Sequence, residues 1–311
     1  MKKFTLLSLA SLCIGSLFSQ GFPSEMEYNE TEHIIYTGGQ NVQGFYEEDK
    51  LETIELTFDQ TDYWQQLTTN KASGTEIPAT LTYKGDTYND VGVRFKGNTS
   101  YSQVNGDKKS FNVTMDYVTA GADIGGYETF NFNNCFQDES FMREVFFLNA
   151  IRNHIPAAKA NYINLFINGQ DWGLYPNVQQ LNSEFIREWF TNDEGSRWRA
   201  ISPDFGTGTG GGPGGGGPGG PGGGGNWGTG LAALNKLATQ ADYEDNYTLK
   251  SSTVAAPWTD LMTTCNLLDN TTTANWETSL ASTMDIDRAL WFLASEILFT
   301  DDDGYVYKGT M

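Results

Sequence analysis

The fold of the N-terminal half is decided by the stretch Val93-Arg94-Phe95-Lys96-Gly97-Asn98-Thr99-Ser100. A second segment, Lys108-Lys109-Ser110-Phe111, follows after a short gap. This pattern predicts a strand, a loop of small residues and a second strand, with basic side chains near the loop. Backbone N–H groups exposed in such a loop can hold an anion. The hairpin is therefore a candidate phosphate-binding element, and the competing interpretation is a solvated hairpin with scattered charges.

The sequence around this hairpin predicts a β-rich module. Apolar and polar residues alternate over 51–58, and a short helix opens at Tyr63-Trp64. The predicted strands are 51–58, 78–83, 88–95 and 129–132, with a hairpin over 162–175 around the turn Asn168-Gly169. An acidic capping run at 138–140 introduces a predicted helix over 141–151, which we expect to pack on the sheet.

The C-terminal half has a different pattern. Residues 206–225 are mostly glycine with prolines, which predicts a disordered loop because such a tract has few side chains to bury. The tract lacks the Lys-Ser/Thr pair that closes a Walker-type phosphate loop. Beyond it, apolar residues recur at helical spacing over 261–268 and 286–298. The predicted organisation is a signal peptide (1–19), a lead-in segment (20–50), a β-rich lobe (51–200), a disordered insertion (201–230) and the beginning of a helical lobe (231–311).

Net charge limits the class of partner. The chain has 39 acidic and 19 basic residues, for a formal charge of −20. An acidic exterior repels nucleic acid and anionic lipid, so we expect no nucleic-acid partner, and a protein partner would be basic. An anionic ligand needs a local basic pocket, and the cluster that supplies one in the N-terminal half is Arg94, Lys96, Lys108 and Lys109.

The N-terminus predicts export. Met1-Lys2-Lys3, an apolar run over 4–18 and Ser19-Gln20 are typical of a signal peptide, and no other segment is long and apolar enough to span a membrane. We therefore expect a protein that is secreted, on the cell surface or periplasmic. Cys135 and Cys265 remain after cleavage, and they either form one disulfide or stay as thiols. The two histidines are not near a cysteine in sequence, so the chain shows no zinc motif.

An acidic turn near the C-terminus is the second chemical signal. The apolar run 289–298 leads into Asp301-Asp302-Asp303-Gly304-Tyr305. Carboxylates at the C-terminus of a helix oppose its dipole, which suggests a role other than helix stability. They suit a hard cation such as Mg²⁺, or a proton-transfer task. A solvated acidic turn is the alternative, because Asp-Gly is common turn chemistry.

Together these motifs resemble the spore coat protein H-like (CotH) kinases. The resemblance runs from about residue 51 to residue 309, with the glycine tract as an insertion. The most specific segments, in the family's order, are 91–100, 108–111, 140–144, 167–169 with 173–175, and 303–305. The resemblance implies an α+β fold of the atypical protein-kinase type, with a β-rich N-terminal lobe and a partial helical C-terminal lobe.

The resemblance also implies phosphoryl transfer from Mg·ATP to a Ser or Thr hydroxyl of an unidentified protein. The loop from Asn98 to Asp107, which includes Ser100, would cover the phosphates. Lys109, or else Lys108, would reach the α- and β-phosphates and pair with Glu144, while Arg94 and Lys96 add positive charge. Asp303 would be the catalytic carboxylate and a metal ligand, with Asp301 as a second ligand and Asp302 in a supporting role.

The sequence departs from the family pattern in two places. Gln179 stands where the family usually has glutamate, and the chain stops at Met311, before the family's second metal-binding motif. A fragment of a longer kinase and a naturally short chain with weak or no turnover are both consistent with this end. A non-catalytic surface or binding protein with a kinase-like scaffold is therefore the alternative function, followed by a structural adhesion or matrix module.

Overall fold

The computed structural model describes residues 25–28, 34–37, 44–190, 193–201, 232–301 and 304–308. The chain divides into two compact units, of which the first holds Ile34–Thr191 and the second Asn192–Met311. Residues 192–200, which the sequence assigned to the β-rich lobe, belong to the second unit. The predicted signal peptide and the glycine tract at 206–225 lie outside the described residues.

A closed barrel of seven strands forms the first unit. Its strands, in their order around the barrel, are β3 (Leu51–Thr57), β4 (Ile77–Tyr83), β5 (Asp86–Lys96), β6 (Ser110–Thr114), β7 (Thr129–Phe132), β9 (Gln170–Gln179) and β8 (Ala160–Ile167). Neighbouring strands are antiparallel except β3 and β8, which are parallel and close the barrel. A separate pair, β1 (Glu25–Tyr28) and β2 (Ile34–Thr37), precedes the barrel.

Alternation along the strands separates the barrel core from its outer face. On β5, Val91, Val93 and Phe95 are buried in the core, and their neighbours Arg94 and Lys96 are partly exposed. β8 repeats this alternation of burial, whereas on β6 and β7 apolar and polar residues alternate but nearly every position is buried. The core is accordingly built from the aliphatic and aromatic positions of every strand.

Aromatic side chains fill the barrel end that lies beside the loop after β5. Trp64 belongs to helix α1 (Tyr63–Asn70), and its ring lies 4.9 Å from that of Phe95 and 5.1 Å from that of Trp172. Tyr101, in the short helix α2 (Thr99–Ser102), also contacts Phe95, with ring centroids 5.6 Å apart. The loop after β5 is therefore packed against the core through Tyr101.

Helix α3 (Arg143–Ile151) covers part of the outer face. Its Val145 is buried against Ala160 of β8 and Val178 of β9. Asp138 fixes the start of this helix, because its Oδ2 accepts a hydrogen bond of 2.8 Å from Arg143 N and its Oδ1 accepts one from Ser140 N. The bond to Arg143 N satisfies one of the N–H groups that the first helical turn leaves without a partner. Helix α4 (Ser183–Trp189) follows β9.

The second unit is a strand pair with helices. β10 (Ser196–Ala200) and β11 (Tyr247–Ser252) are antiparallel, and Tyr243, Tyr247, Trp258, Leu261 and Cys265 are buried together. Its helices are α5 (Gln240–Asn246), α6 (Thr259–Asn270), α7 (Trp276–Leu280), α8 (Ile286–Phe299) and α9 (Tyr305–Lys308).

The α+β class predicted from the sequence is confirmed, as are the strand and helix positions around the hairpin. The closure of the sheet into a barrel was not predicted. Both Cys135 and Cys265 are free thiols. Among the described residues, no helix combines the length and apolarity needed to cross a membrane.

Candidate functional site

A polar stripe crosses the outer face of β5, β6 and β7. It consists of Arg94, Lys96, Ser110, Asn112 and Asn131, which occupy the alternate positions that face away from the barrel core. Strand register places Arg94 opposite Asn112, Lys96 opposite Ser110, and Asn112 opposite Asn131. The predicted phosphate-binding cations therefore lie beside a row of buried polar groups.

Hydrogen bonds fix the two amides of the polar stripe. Asn112 Nδ2 donates to Asn131 Oδ1 at 3.1 Å, and Asn131 Nδ2 donates to Val178 O at 3.1 Å and Gln180 Oε1 at 3.0 Å. Both side chains are at most 5% exposed. Buried amides without partners would be costly, so this chain of bonds holds the stripe in one arrangement.

Glu144 of α3 stands next to the polar stripe. Its Oε1 accepts a hydrogen bond of 2.6 Å from Asn133 Nδ2. Burial raises the pKa of Glu144, Asp138 raises it further, and the Asn133 bond and the positive charge of Lys96 act in the opposite direction. Lys96 is thus the lysine whose charge acts on Glu144.

The predicted pairing of Lys109 with Glu144 does not occur. Lys109 Nζ instead donates to Tyr101 O at 3.0 Å and Val104 O at 3.1 Å. The side chain therefore points to the loop before β6 rather than along the polar stripe. Lys109 directly precedes Ser110, the residue that lies opposite Lys96 in the sheet. Because successive side chains of an extended chain point to opposite faces, Lys109 lies on the other face from Ser110 and Lys96.

Lys108 is held by main-chain carbonyls of the β8–β9 hairpin. Its Nζ donates to Leu174 O at 2.9 Å and Trp172 O at 3.2 Å, and it lies 4.0 Å from the centroid of the Tyr175 ring. Burial lowers the pKa of Lys108. These contacts tie the start of β6 to β9, so the ammonium has a structural task in this arrangement.

The predicted phosphate loop is also tied down at its beginning. Asn98 O accepts hydrogen bonds from Tyr101 N and Ser102 N, and Ser100 O accepts one of 2.9 Å from Asn134 Nδ2. Gly97 has φ +87, a region that glycine adopts without strain. A Cβ at Gly97 would require the Ser100 hydroxyl to rotate away, so the positive φ is the main reason for glycine in this turn.

Arg94 lies at the far end of the polar stripe from Glu144. Its Nε is 3.8 Å from Glu76 Oε1, and the same oxygen accepts a hydrogen bond of 2.6 Å from Thr114 Oγ1. Glu76 therefore balances part of the Arg94 charge.

The acidic turn belongs to the second unit, and only part of it can be described. Asp301 N donates to Glu296 O, while Asp302 and Asp303 lie outside the described residues. The buried Glu296 carboxylate accepts hydrogen bonds of 2.7 Å from Tyr305 N and Val306 N, which fixes the chain just after the turn. Within the described part of the chain, no group of three or more His, Cys, Asp or Glu side chains is arranged to hold a metal ion.

Sequence reasoning missed the supporting amides Asn112, Asn131 and Asn133. Their signal was available, because Asn112 and Asn131 each stand between two apolar residues of a strand, and Asn133 directly follows the strand that ends at Phe132. It also missed the role of Gln179, which is buried and joins β9 to α4 through a 2.9 Å bond from its Nε2 to Glu188 Oε2.

Comparison with protein families identifies this arrangement. The family model described as CotH kinase protein matches residues 93–310, which is more than two thirds of the chain. The chain belongs to the CotH kinase family. The resemblance drawn from the sequence is thereby confirmed, and kinase-like function follows as the coarse assignment. A search of curated proteins found no match.

The CotH match covers the polar stripe, the loop after β5 and Glu144. It begins at Val93, so β3, β4 and α1 of the barrel precede it. The match also includes the acidic turn at 301–305. Both groups of candidate residues therefore belong to the part of the chain that defines the CotH family.

Proposed function

We propose that this CotH protein is a secreted, ATP-dependent protein kinase that transfers a phosphoryl group to a Ser or Thr hydroxyl. The observation that carries the proposal is the partly buried Glu144 carboxylate, oriented by Asn133 and acted on by Lys96. A lysine on a sheet and a glutamate on a helix packed against that sheet are the parts with which protein kinases position the α- and β-phosphates. Family membership supplies the second support.

The proposal gives Lys96 the role that the sequence had assigned to Lys109. Lys96 lies on the polar stripe, and its side chain would direct positive charge to the nucleotide phosphates while Glu144 fixes its direction. Lys108 and Lys109 bond to main-chain carbonyls, so they would hold the walls of the site. The loop from Asn98 to Asp107, including Ser100, would cover the phosphates. Arg94 would add charge at the end of the stripe.

Asp303 is proposed as the catalytic carboxylate on its Asp-Gly-Tyr motif alone. In the proposed step, the acceptor hydroxyl oxygen bonds to the γ-phosphorus, the bond from that phosphorus to the ADP oxygen breaks, and the hydroxyl proton passes to Asp303. The acceptor protein would be basic, in keeping with a chain of charge −20.

Mg²⁺ fits the donor type of the acidic turn, because Asp301 and Asp303 offer carboxylate oxygens. Such an ion, when bound with ATP, neutralises charge on the phosphates. Asp301 is the member of this pair that the structure describes, and it is partly exposed. Lys96 and Glu144 both belong to the first unit, and their proposed role in positioning the nucleotide does not depend on this ion.

The test compares Mg·ATP binding and phosphoryl transfer in four purified full-length proteins. These are the wild type, Lys96→Met, Glu144→Gln and the control Lys84→Met. Lys84 lies in the turn between β4 and β5 and forms a salt bridge with Glu52 of β3. Transfer is measured with labelled ATP on a library of basic Ser/Thr peptides. We expect Lys96→Met and Glu144→Gln to lose about 100-fold in transfer, as when a preorganised charge contact is removed, and Lys84→Met to keep wild-type transfer.

The same experiment separates the kinase from the non-catalytic alternative. Thermal stabilisation of the wild type by Mg·ATP, absent in Lys96→Met, supports the proposed nucleotide site. A fifth protein, Asp303→Asn, should retain that stabilisation and lose transfer. A wild type that Mg·ATP does not stabilise, at any concentration up to 10 times a typical kinase KM of about 0.1 mM, contradicts the kinase proposal and favours a binding protein.

A further inference from the structure

One carboxylate attaches helix α4 to three separate segments of the barrel. Glu188 Oε1 accepts hydrogen bonds of 2.5 Å from Tyr127 OH and 2.7 Å from Lys159 Nζ. Its Oε2 accepts one of 2.9 Å from Gln179 Nε2. Tyr127 lies shortly before β7, Lys159 directly precedes β8, and Gln179 is the last residue of β9. These three donors, which we call the carboxylate site, therefore hold α4 through a single side chain.

The carboxylate site requires a negative group. Lys159 Nζ also lies 2.7 Å from Tyr127 OH, and its side chain is 15% exposed. Burial lowers the pKa of Lys159, whereas the charge of Glu188 and its hydrogen bond raise it. A largely buried ammonium without a carboxylate partner is strongly unfavourable. The donors are therefore arranged for a carboxylate, and Glu188 supplies it from within the chain.

The apolar residues of α4 do not belong to the barrel core. Its buried Phe185 and Trp189 pack in a cluster separate from that core. The Trp189 ring lies 5.2 Å from the guanidinium carbon of Arg152, and α4 also contacts β2. A helix of seven residues is not stable by itself, since isolated helices need roughly 12–15 residues. The docked position of α4 therefore depends strongly on Glu188.

A second carboxylate of α4 opposes this docking. Burial raises the pKa of Glu184, the hydrogen bond from Asn182 lowers it, and the charge of Glu128 raises it. Glu128 directly precedes β7, so helix and barrel also meet here through two acidic side chains. Like charges at short range destabilise the arrangement that brings them together. The docked state is thus a balance between attraction at Glu188 and repulsion at Glu184.

The carboxylate site shares a strand end with the polar stripe. Gln179 N donates to Lys159 O at 2.9 Å, and Gln179 Oε1 accepts a bond of 3.0 Å from Lys159 N. The next residue, Gln180, accepts the 3.0 Å bond from Asn131 Nδ2. A movement of α4 that frees the Gln179 amide therefore removes support from the segment that also holds Asn131.

We propose that Tyr127, Lys159 and Gln179 form a carboxylate-binding site, that Glu188 occupies it as a displaceable internal ligand, and that α4 opens and closes on it as a latch. Opening is local, so α4 leaves while the barrel stays folded. Segments with few contacts to the core are the ones that open in this way in native proteins. The open latch loosens the end of β9 beside the polar stripe. This inference goes beyond the proposed function and does not depend on kinase activity.

Hydrogen exchange at residue resolution tests the latch in three full-length proteins, the wild type, Glu188→Gln and Glu184→Gln. In the wild type, we expect the amides of α4 to exchange about 100-fold faster than those of β8. Glu188→Gln should speed exchange in α4 about tenfold, because charge-assisted bonds are lost. Glu184→Gln, a matched change on the same helix, should slow it about threefold, because the repulsion from Glu128 is removed.

Two results of this experiment would overturn the latch. One is equal exchange rates for α4 and β8 in the wild type, which would mean that α4 opens only when the barrel unfolds. The other is a change in the same direction from both substitutions, since attraction at one carboxylate and repulsion at the other require opposite signs.

Chemical rescue with acetate tests the ligand class. Glu188→Ala removes a carboxymethyl group, which has the size of acetate, and leaves the three donors without their acceptor. Thermal unfolding is followed while acetate replaces chloride at constant ionic strength. Acetate should raise the midpoint of Glu188→Ala by about 2–4 °C and leave the wild type and Glu184→Ala unchanged.

Equal effects of acetate on all three proteins, or none on Glu188→Ala, would overturn the carboxylate site. If Glu188→Ala does not fold, the same titration on Glu188→Gln replaces it with a different criterion. Acetate cannot enter a position that the glutamine side chain fills, so the exchange rates of α4 in Glu188→Gln then decide whether the carboxylate is what holds the latch.

Discussion

Glu144 is a carboxylate that the fold holds where burial opposes its charge. Its carboxylate is placed in a low-dielectric position where burial raises the pKa, and the Asn133 bond and the charge of Lys96 offset only part of this effect. A residue selected for packing alone would be neutral here. The retained carboxylate is consistent with a task that requires negative charge beside Lys96.

The cost of this carboxylate leads to a pH-dependent prediction. The folded state raises the pKa of Glu144 above its ordinary value of 4.5, so it binds the proton more tightly than the unfolded state does. Stability from this group is therefore full below pH 4.5 and is lost as the pH rises through and above that value. Glu144→Gln, which keeps an acceptor for Asn133, should raise the free energy of unfolding at pH 7 by about 0.5–2 kcal/mol.

Urea denaturation of the wild type and Glu144→Gln at pH 4 and pH 7 provides the measurement. The stabilisation should be larger at pH 7 than at pH 4. Glu139→Gln is the control, because this neighbouring carboxylate is exposed and its substitution should change the free energy of unfolding by less than about 0.5 kcal/mol. A Glu144→Gln variant that is less stable than the wild type at pH 7 would contradict the prediction.

Residue types and strand alternation were enough to predict that Arg94 and Lys96 share the outward face of β5, but not which lysine's charge acts on Glu144. The sequence places Lys96, Lys108 and Lys109 within a few residues of one another. The choice among them depends on where α3 crosses the sheet and on the carbonyls that bind Lys108 and Lys109. These contacts join segments distant in sequence, so local pattern cannot give them.

At the scale of elements, the site depends on how α3 is attached to the barrel. The helix presents Glu144 from its first turn, and its buried Val145 packs on β8 and β9. The acidic run at 138–140 was identified from sequence as a helix start, and Asp138 is the residue in it that binds the helix N–H group. Glu139 is the next residue and is exposed. Substituting it removes a negative charge at nearly the same place without removing the acceptor of the Arg143 N–H group.

Removing the cap should loosen the helix that carries Glu144. Asp138→Ala is expected to lower the free energy of unfolding by about 1 kcal/mol, because the Arg143 and Ser140 N–H groups lose their acceptor. Glu139→Ala should change it by less than 0.5 kcal/mol, as is usual for surface substitutions. Urea denaturation measures both, and hydrogen exchange should report faster exchange in the first turn of α3 for Asp138→Ala alone. Equal effects of the two substitutions would show that the cap contributes nothing specific.

At the scale of the whole molecule, the sequence predicted the strands but not their closure. The barrel is completed by parallel pairing of β3 with β8, which joins Leu51 to Tyr162 across more than a hundred residues. Alternation identifies the buried face of each strand, and it contains no information on which distant strand completes the sheet. The residues of the glycine tract and Asp303 lie outside the described residues, so the predictions for them remain predictions.

The net charge of −20 gives the last prediction. Like charges distributed over a folded chain repel one another, and folding brings them closer, so the compact state is destabilised at neutral pH and low salt. Salt at about 0.5 M screens charges beyond roughly 4–5 Å, which weakens this repulsion more than it weakens partly buried pairs such as Lys159–Glu188. Sodium chloride should therefore raise the thermal unfolding midpoint at pH 7.

This effect has a built-in control in the pH. Near the sequence pI of about 4.3 the net charge is close to zero, so there is little repulsion to screen and the same addition of salt should leave the midpoint nearly unchanged. Scanning calorimetry at both pH values, with and without 0.5 M sodium chloride as in the screening estimate, measures the difference. If salt lowers the midpoint at pH 7, ion pairs rather than net repulsion dominate the electrostatics of the fold.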